Sequence, residues 1–290
     1  MASSPNIYIA DVGIVTRLWS RLRAAFQATY EDGCFGTAKG AAYSSLLAFF
    51  PVLTTLAAVL VQANADAVAR TIARLLYDVI PPGTEDIVRT LFVVKGRRPT
   101  LLVAGAVVLS VWASSGVMMS LLEGFQAIYR IPSGRSFVKE RVVAMWLVLV
   151  AAIPLLGASA LIVIGNRARL SFIAWLGVAR GDDLRSWVQL AGQVLSFAIA
   201  LGAIVVIMAL VYYFGPNRKQ SFRKVFPGAV VATVLWLLST LAVAWYLRDI
   251  ANYNVLYGGV GAGLALLVWS YVLSLITLFG CAFNAVHERR

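Results

Sequence analysis

Side chains able to do acid–base or metal chemistry are scarce in this chain. His287 is the only histidine, and neither a Ser-His-Asp triad nor a histidine metal site finds its other members near it in sequence. Cys34 and Cys281 lack the spacing of metal ligands, so each is expected to be a small apolar or surface residue. We therefore predict no catalytic residues, no metal and no cofactor, and we expect the protein not to be an enzyme.

Hydroxyls, amides and aromatics are the polar side chains of the long apolar segments. A groove lined by such groups suits the headgroup of an amphiphile better than a bare ion, although the same groups also serve to join helix to helix. Pro51 lies in mid-segment, where a proline usually kinks a helix. Glu123 is an acid beside an apolar segment, and either pairs with a nearby base or makes a polar contact at the mouth of a cavity. The candidate lipid path comprises Tyr43, Ser44, Pro51, Trp112, Ser114, Ser115, Glu123, Tyr257, Gly258, Gly261 and Trp269.

Glycines crowd the start of the last apolar segment, at 258–263. This stretch resembles a phosphate-binding loop only superficially, because no Lys-Ser/Thr follows it and no strand precedes it. It is either a helix start where backbones pack tightly, or a set of N–H groups that meets a lipid phosphate. In the second interpretation it faces a common cavity with Tyr43, Ser114 and Ser115, and that cavity opens sideways between helices.

Six long segments without a charged residue must position these side chains. Each is rich in Leu, Val, Ala, Ile, Phe and Trp, and a hydrocarbon core about 30 Å thick needs about 20 such residues in a helix. Hydrophobic residues make up 60% of the 290 residues and charged residues 13%, with a mean hydropathy of +0.82. We predict an all-α polytopic membrane protein with one domain over 1–290, in which 40–286 form a bundle of six transmembrane helices. The six segments are 40–65, 100–122, 142–166, 186–217, 225–247 and 250–286.

Two further helical elements are predicted outside the spans. Apolar residues recur at helical spacing within 1–39, with arginines mainly off that stripe, which is typical of an amphipathic helix lying on the cytoplasmic leaflet. The alternative is a helix packed on the protein's own loops. Residues 66–95, interrupted at Pro81, Pro82 and Gly83, predict a helical hairpin on the membrane surface. The stripe consists of Val15, Leu18, Trp19, Leu22 and Phe26.

Basic residues outnumber acidic ones by 25 to 13, which gives a net charge of +12. They lie between and beside the spans, where they meet anionic headgroups and set the orientation, so we expect no nucleic-acid binding. The connection 218–224 holds four bases and no acid, which places it and both termini on the cytoplasmic side. Its candidate headgroup contacts are Arg218, Lys219, Arg223 and Lys224.

Several motifs, in the right order, resemble the YihY/BrkB family of bacterial inner-membrane proteins, once labelled ribonuclease BN. Residues 41–51 are similar to its first-span signature, and 112–116 to its second-span motif. Residues 226–229 resemble its fifth span, and the stretch from Tyr257 to Asn284 its last. The family often carries an acid near the end of the last span, where this chain has Ala282, which places any role of that carboxylate in doubt here. The resemblance implies a six-helix inner-membrane protein with a role in envelope lipid handling.

Three functions follow from these patterns. The first is a facilitator that moves a lipid or lipid-like envelope precursor, with membrane lipids as its partners and an envelope protein or a second copy left open. The alternative is a non-transporting scaffold that docks partners through its basic loops and N-terminal helix. The third, the inherited ribonuclease label, fits badly with one histidine and no acidic metal cluster.

The orientation can be tested by placing single cysteines at Gln220 and at Gly83. We expect an impermeant thiol reagent to label the two positions from opposite sides of the membrane, because three predicted spans, an odd number, separate them. Labelling of both from the same side would contradict the six-span topology.

Overall fold

The computed structural model describes residues 6–62, 100–131, 136–175, 183–249 and 258–288. The elements in these ranges are long α-helices, which we number α1 to α7. The predicted surface hairpin at 66–95 and Tyr257 lie outside the described residues. The helices are α1 (Asn6–Glu31), α2 (Cys34–Gln62), α3 (Thr100–Tyr129), α4 (Phe137–Trp175), α5 (Asp183–Phe214), α6 (Phe222–Asp249) and α7 (Gly258–Glu288).

Five of the helices in the described ranges contain stretches long and apolar enough to cross a membrane. They overlap the second to sixth predicted spans. The first predicted span is helical as far as Gln62 in α2, but it is not among these five, so the count of six remains a prediction. The five stretches are Leu101–Tyr129, Phe137–Ala158, Leu190–Phe214, Phe222–Val243 and Gly263–Glu288.

Helices α2 and α3 form the most extensive contact of the bundle. A methyl group added at Gly40 would lie 3.3 Å from Ser120 Oγ, and one at Gly116 would lie 3.4 Å from Ser44 Cβ. Small residues therefore let these two backbones approach closely.

Hydroxyl groups join α2 to α3 around the proline of α2, which continues through Pro51. Ser110 Oγ donates to the Pro51 carbonyl at 2.6 Å, and Thr55 Oγ1 donates to the Ala106 carbonyl at 2.7 Å. Neighbouring helices thus supply hydrogen bonds near the site where proline interrupts the helical ladder.

Helices α6 and α7 cross at two glycines, Gly228 and Gly280. The buried Asn284 side chain fastens the crossing, because its Oδ1 accepts the Gly228 N–H at 2.7 Å and its Nδ2 donates to the Val225 carbonyl at 2.9 Å. Close by, the buried Tyr212 hydroxyl of α5 donates to the Thr277 carbonyl of α7 at 2.7 Å. These side chains satisfy backbone and hydroxyl groups that have no access to water.

Helix α1 packs against α7 and, to a lesser extent, against α2. Ala25 and Thr29 are buried in this contact, and Leu22 packs against the core. Trp19 and Phe26 point outward, at 70% and 58% exposure. The predicted N-terminal helix is present, and one side of its stripe packs on the protein while the aromatic side stays exposed. Its contact with a membrane surface remains a prediction.

The α6–α7 crossing predicts a steric effect at Gly280. A methyl group there would lie 2.7 Å from Ala232 Cβ and 2.8 Å from the Gly228 carbonyl oxygen. Gly280→Ala should therefore lower the free energy of unfolding by about 1–3 kcal/mol through overpacking. Thermal unfolding of the purified protein in detergent measures this.

The matched control is Gly202→Ala in α5, where an added methyl group meets nothing within 4 Å. That change should be neutral or slightly stabilising, since alanine favours helix over glycine. Equal melting temperatures for the two variants would contradict the close crossing.

Candidate functional site

The structure separates the predicted lipid-path residues by their exposure. Tyr43 and Trp112 are 59% and 54% exposed, and Glu123 is also exposed. Ser44, Pro51, Ser114 and Trp269 are half-buried, whereas Ser115 is fully buried. Gly258 and Gly261 lie in the first turn of α7, in the described backbone.

The two serines with the clearest contacts serve helix packing. Ser115 Oγ donates to the Trp112 carbonyl of its own helix at 2.6 Å. Ser44 lies against Gly116, as described for the α2–α3 contact. A fully buried side chain cannot line a groove that opens to the bilayer, so in this conformation Ser115 does not share an open surface with Tyr43. The packing interpretation fits Ser44 and Ser115 best.

A residue outside the predicted path, Arg141, makes the most distinctive polar contacts within the spans. It lies in the stretch Phe137–Ala158 of α4 and reaches α3. Its Nη2 donates to the Trp112 carbonyl at 2.9 Å, and its Nη1 lies 3.2 Å from Met119 Sδ. The guanidinium carbon lies 4.3 Å from the centroid of the Trp112 ring, which is cation–π geometry. An arginine within a membrane span is by default a candidate for a functional site.

Two acidic residues lie near the α3–α4 connection, and one of them, Glu140, directly precedes Arg141 in sequence. Glu140 Oε1 accepts a hydrogen bond from Gln126 Nε2 at 2.5 Å. Glu123 lies close enough to Glu140 for the two carboxylates to interact electrostatically. We call this group the charged crevice, and its members are Trp112, Met119, Glu123 and Gln126 of α3 with Glu140 and Arg141 of α4.

Sequence reasoning identified Trp112 and Glu123 and missed Arg141. The structure extends α3 to Tyr129 and α4 back to Phe137, beyond the charge-free segments. The signal that could have revealed the crevice is the position of Glu123 and Arg141, each directly next to a charge-free segment.

The predicted headgroup contacts of the α5–α6 connection divide into two pairs. Arg218 forms an ion pair with Glu288 at the end of α7, and its guanidinium carbon lies 4.1 Å from the centroid of the Tyr129 ring. Lys224 Nζ lies 3.1 Å from Glu288 Oε1. Both side chains therefore hold the connection to α7. Lys219 and Arg223 are exposed and are better placed for headgroups.

Neither cysteine shows the features of a reactive thiol. Both are fully buried and free. Burial and the neighbouring Asp32 raise the pKa of the Cys34 thiol to about 11. Across the described ranges, no group of three or more His, Cys, Asp or Glu side chains is arranged to hold a metal ion.

The burial of Ser115 predicts the result of a bulky substitution. Ser115→Trp should lower the free energy of unfolding by at least about 1–3 kcal/mol, and the melting temperature with it, because no space is available for an indole. Val108→Trp on the same helix is the control, since Val108 is 69% exposed and a large side chain there meets the bilayer. An unchanged melting temperature for Ser115→Trp would instead indicate a cavity beside Ser115, as the candidate lipid path requires.

Comparison with known proteins agrees with the membrane architecture. Residues 25–290 match the family model described as virulence factor BrkB, which confirms the resemblance drawn from the motifs. The ribonuclease-like protein YfkH of Bacillus subtilis is 26% identical over 254 residues, which cover 86% of this chain and 88% of YfkH. No solved structure matches the chain.

Proteins named UPF0761 membrane protein are also similar. The one from Chromobacterium violaceum is 29% identical over 186 residues, covering 64% of this chain and 41% of that protein. The one from Janthinobacterium sp. is 27% identical over 274 residues, covering 92% and 60%. The chain thus spans less than two thirds of the length of these two relatives.

Proposed function

The chain belongs to the virulence factor BrkB family, and on that premise we propose that this multi-pass membrane protein facilitates the movement of a lipid or lipid-like envelope precursor. We place it in the bacterial inner membrane with both termini cytoplasmic. The charged crevice is the observation that carries the proposal. Ionisable side chains are costly within a bilayer and occur there mainly along ligand or ion pathways.

Some members of the charged crevice are exposed on the outside of the bundle. Trp112 and Glu123, two of its α3 members, are exposed on the helix surface. The neighbouring side chains of α4 are apolar and exposed as well, at Val138, Val142 and Trp146. A molecule with a polar head and apolar tails therefore matches both surfaces at once, with its head on the charged residues and its tails along α4.

A specific observation also favours the scaffold alternative. The outward aromatic side of α1, with Trp19, Phe26 and Tyr30, is an exposed surface that either a membrane interface or a partner protein covers. This surface and the charged crevice lie on different helices, so mutations can test them separately. If the wild-type protein moves no lipid and substitutions on α1 release a bound partner protein, the scaffold function gains support.

Ribonuclease activity enters through the earlier label of the family and the name of YfkH. The described residues offer no cluster of metal ligands for such chemistry, and lipid handling accounts for the charged crevice. Metal-dependent cleavage of RNA by the purified protein would support the ribonuclease function over our proposal.

The proposal predicts lipid movement in reconstituted vesicles. The purified protein should accelerate exchange of fluorescent phospholipid between leaflets, measured by chemical quenching of the outer leaflet. Trp112→Ala should slow the exchange roughly fivefold, since an exposed cation–π contact contributes about 1 kcal/mol.

The matched control is Trp245→Ala on α6, a tryptophan of similar exposure at 59% that lies outside the crevice. It should exchange lipid at the wild-type rate. Exchange no faster than in protein-free vesicles, with the wild-type protein folded and inserted, would overturn the proposed function.

A further inference from the structure

Two opposite charges of the crevice have no ion-pair partner among the described residues. Arg141 has no carboxylate within 4.0 Å there, and Glu123 has no basic group within that distance, whereas the ion pairs that do form lie elsewhere, at Asp32 and Glu288. Both residues nevertheless lie on candidate membrane spans. Unpaired charges in such positions are unfavourable unless a ligand or water completes them.

The Arg141 guanidinium retains donors for an oxyanion. Each Nη carries two N–H groups, and the contacts to the Trp112 carbonyl and to Met119 Sδ account for one on each. Both acceptors are neutral, so they orient the guanidinium without neutralising its charge. The fork of an arginine matches the oxygens of a phosphate group.

The carboxylates lie nearer the α3–α4 connection than the α3 residues that Arg141 contacts, Trp112 and Met119. Glu123 follows Met119 by one helical turn, about 6 Å along α3. Glu140 precedes Arg141 directly and contacts Gln126, which is close to the end of α3 at Tyr129. The order from the middle of the span toward the connection is therefore cation first and carboxylates second.

We propose that the charged crevice binds the headgroup of a phospholipid that carries a primary amine, as in phosphatidylethanolamine. Its phosphodiester accepts hydrogen bonds from Arg141, and its ammonium group donates to Glu123 and Glu140. In such a lipid the phosphate lies nearer the acyl chains than the amine does, which matches the order of charges in the crevice. This inference rests on the proposed function and names the substrate class of the same site.

The carboxylates make the crevice selective. A phospholipid with only negative charge would bring its anion next to two carboxylates, which repel it. A choline headgroup has no N–H to donate, and its methyl groups hold the positive charge away from the carboxylates. The amine therefore determines the choice of lipid, and Arg141 holds the phosphate shared by all three lipids.

Binding of labelled phosphatidylethanolamine to the purified full chain in phosphatidylcholine mixed micelles tests the proposal. We expect Arg141→Met and Glu123→Gln each to weaken binding about tenfold. Two exposed residues of α1, outside the crevice, give the controls, Arg23→Met and Glu31→Gln, which remove the same charges and should bind as the wild type does.

Competition separates a binding role from a merely structural one. Phosphatidylglycerol should compete poorly with the wild type and better with Glu123→Gln, because the substitution removes the repelling carboxylate. Water-soluble phosphoethanolamine should compete weakly, since it lacks the tails that lie along α4. Equal affinity of the wild type for the ethanolamine and glycerol lipids would overturn the inference, and so would soluble phosphoethanolamine competing as well as the lipid.

The alternative role for Arg141 is purely structural, in which it only joins α4 to α3. If Arg141→Met lowers the melting temperature and leaves the affinity for phosphatidylethanolamine unchanged, the inference is wrong. The binding assay does not depend on transport. Selective binding without leaflet exchange would therefore contradict the proposed function and support the headgroup site. Leaflet exchange with unselective binding would support the proposed function and contradict the headgroup site.

Discussion

Polar groups inside a membrane span must find their partners within the protein, because the hydrocarbon core contains no water. The bundle satisfies this constraint with few side chains. Ser110 bonds to the Pro51 carbonyl between α2 and α3, Tyr212 bonds to Thr277 between α5 and α7, and Asn284 bonds to the backbone of α6. Each bond crosses from one helix to another, so the same groups that must be satisfied also define which helices pack together. The unpaired charges of the crevice stand out against this background, which is why they carry the functional argument.

Charge-free segments locate the spans well and their ends poorly. The segments 100–122 and 142–166 lie within α3 and α4, yet both helices continue through the charged residues beside them. A rule that ends each span at the first charge assigns Glu123 and Arg141 to loops, because it treats every charge as solvated. Arginine has a long apolar stem and a ring to stack on, so a charged group can lie at membrane depth when a partner such as Trp112 is near. That tertiary contact has no signature in local sequence.

The small residues of the second span and the basic connection 218–224 also depend on tertiary contacts that local sequence does not reveal. The small residues of the second span were consistent with either a cavity or close packing, and only their neighbours across the interface, such as Ser44 against Gly116, favour packing. The basic residues 218–224 were all candidates for headgroups, but Glu288 lies far away in sequence and engages two of them. By contrast, the N-terminal helix and the membrane class could be predicted from periodicity and composition, since both depend on local pattern alone.

The exposure of Trp112 on the side of the bundle determines how a ligand reaches the crevice. A molecule that reaches the crevice through the bilayer never enters water, so its occupancy depends on its mole fraction in the membrane and not on an aqueous concentration. A lipid that forms a large share of the leaflet fills even a weak site. Tight binding would then bring no advantage and would slow the release of the lipid. The protein must instead discriminate against the other lipids of the same leaflet.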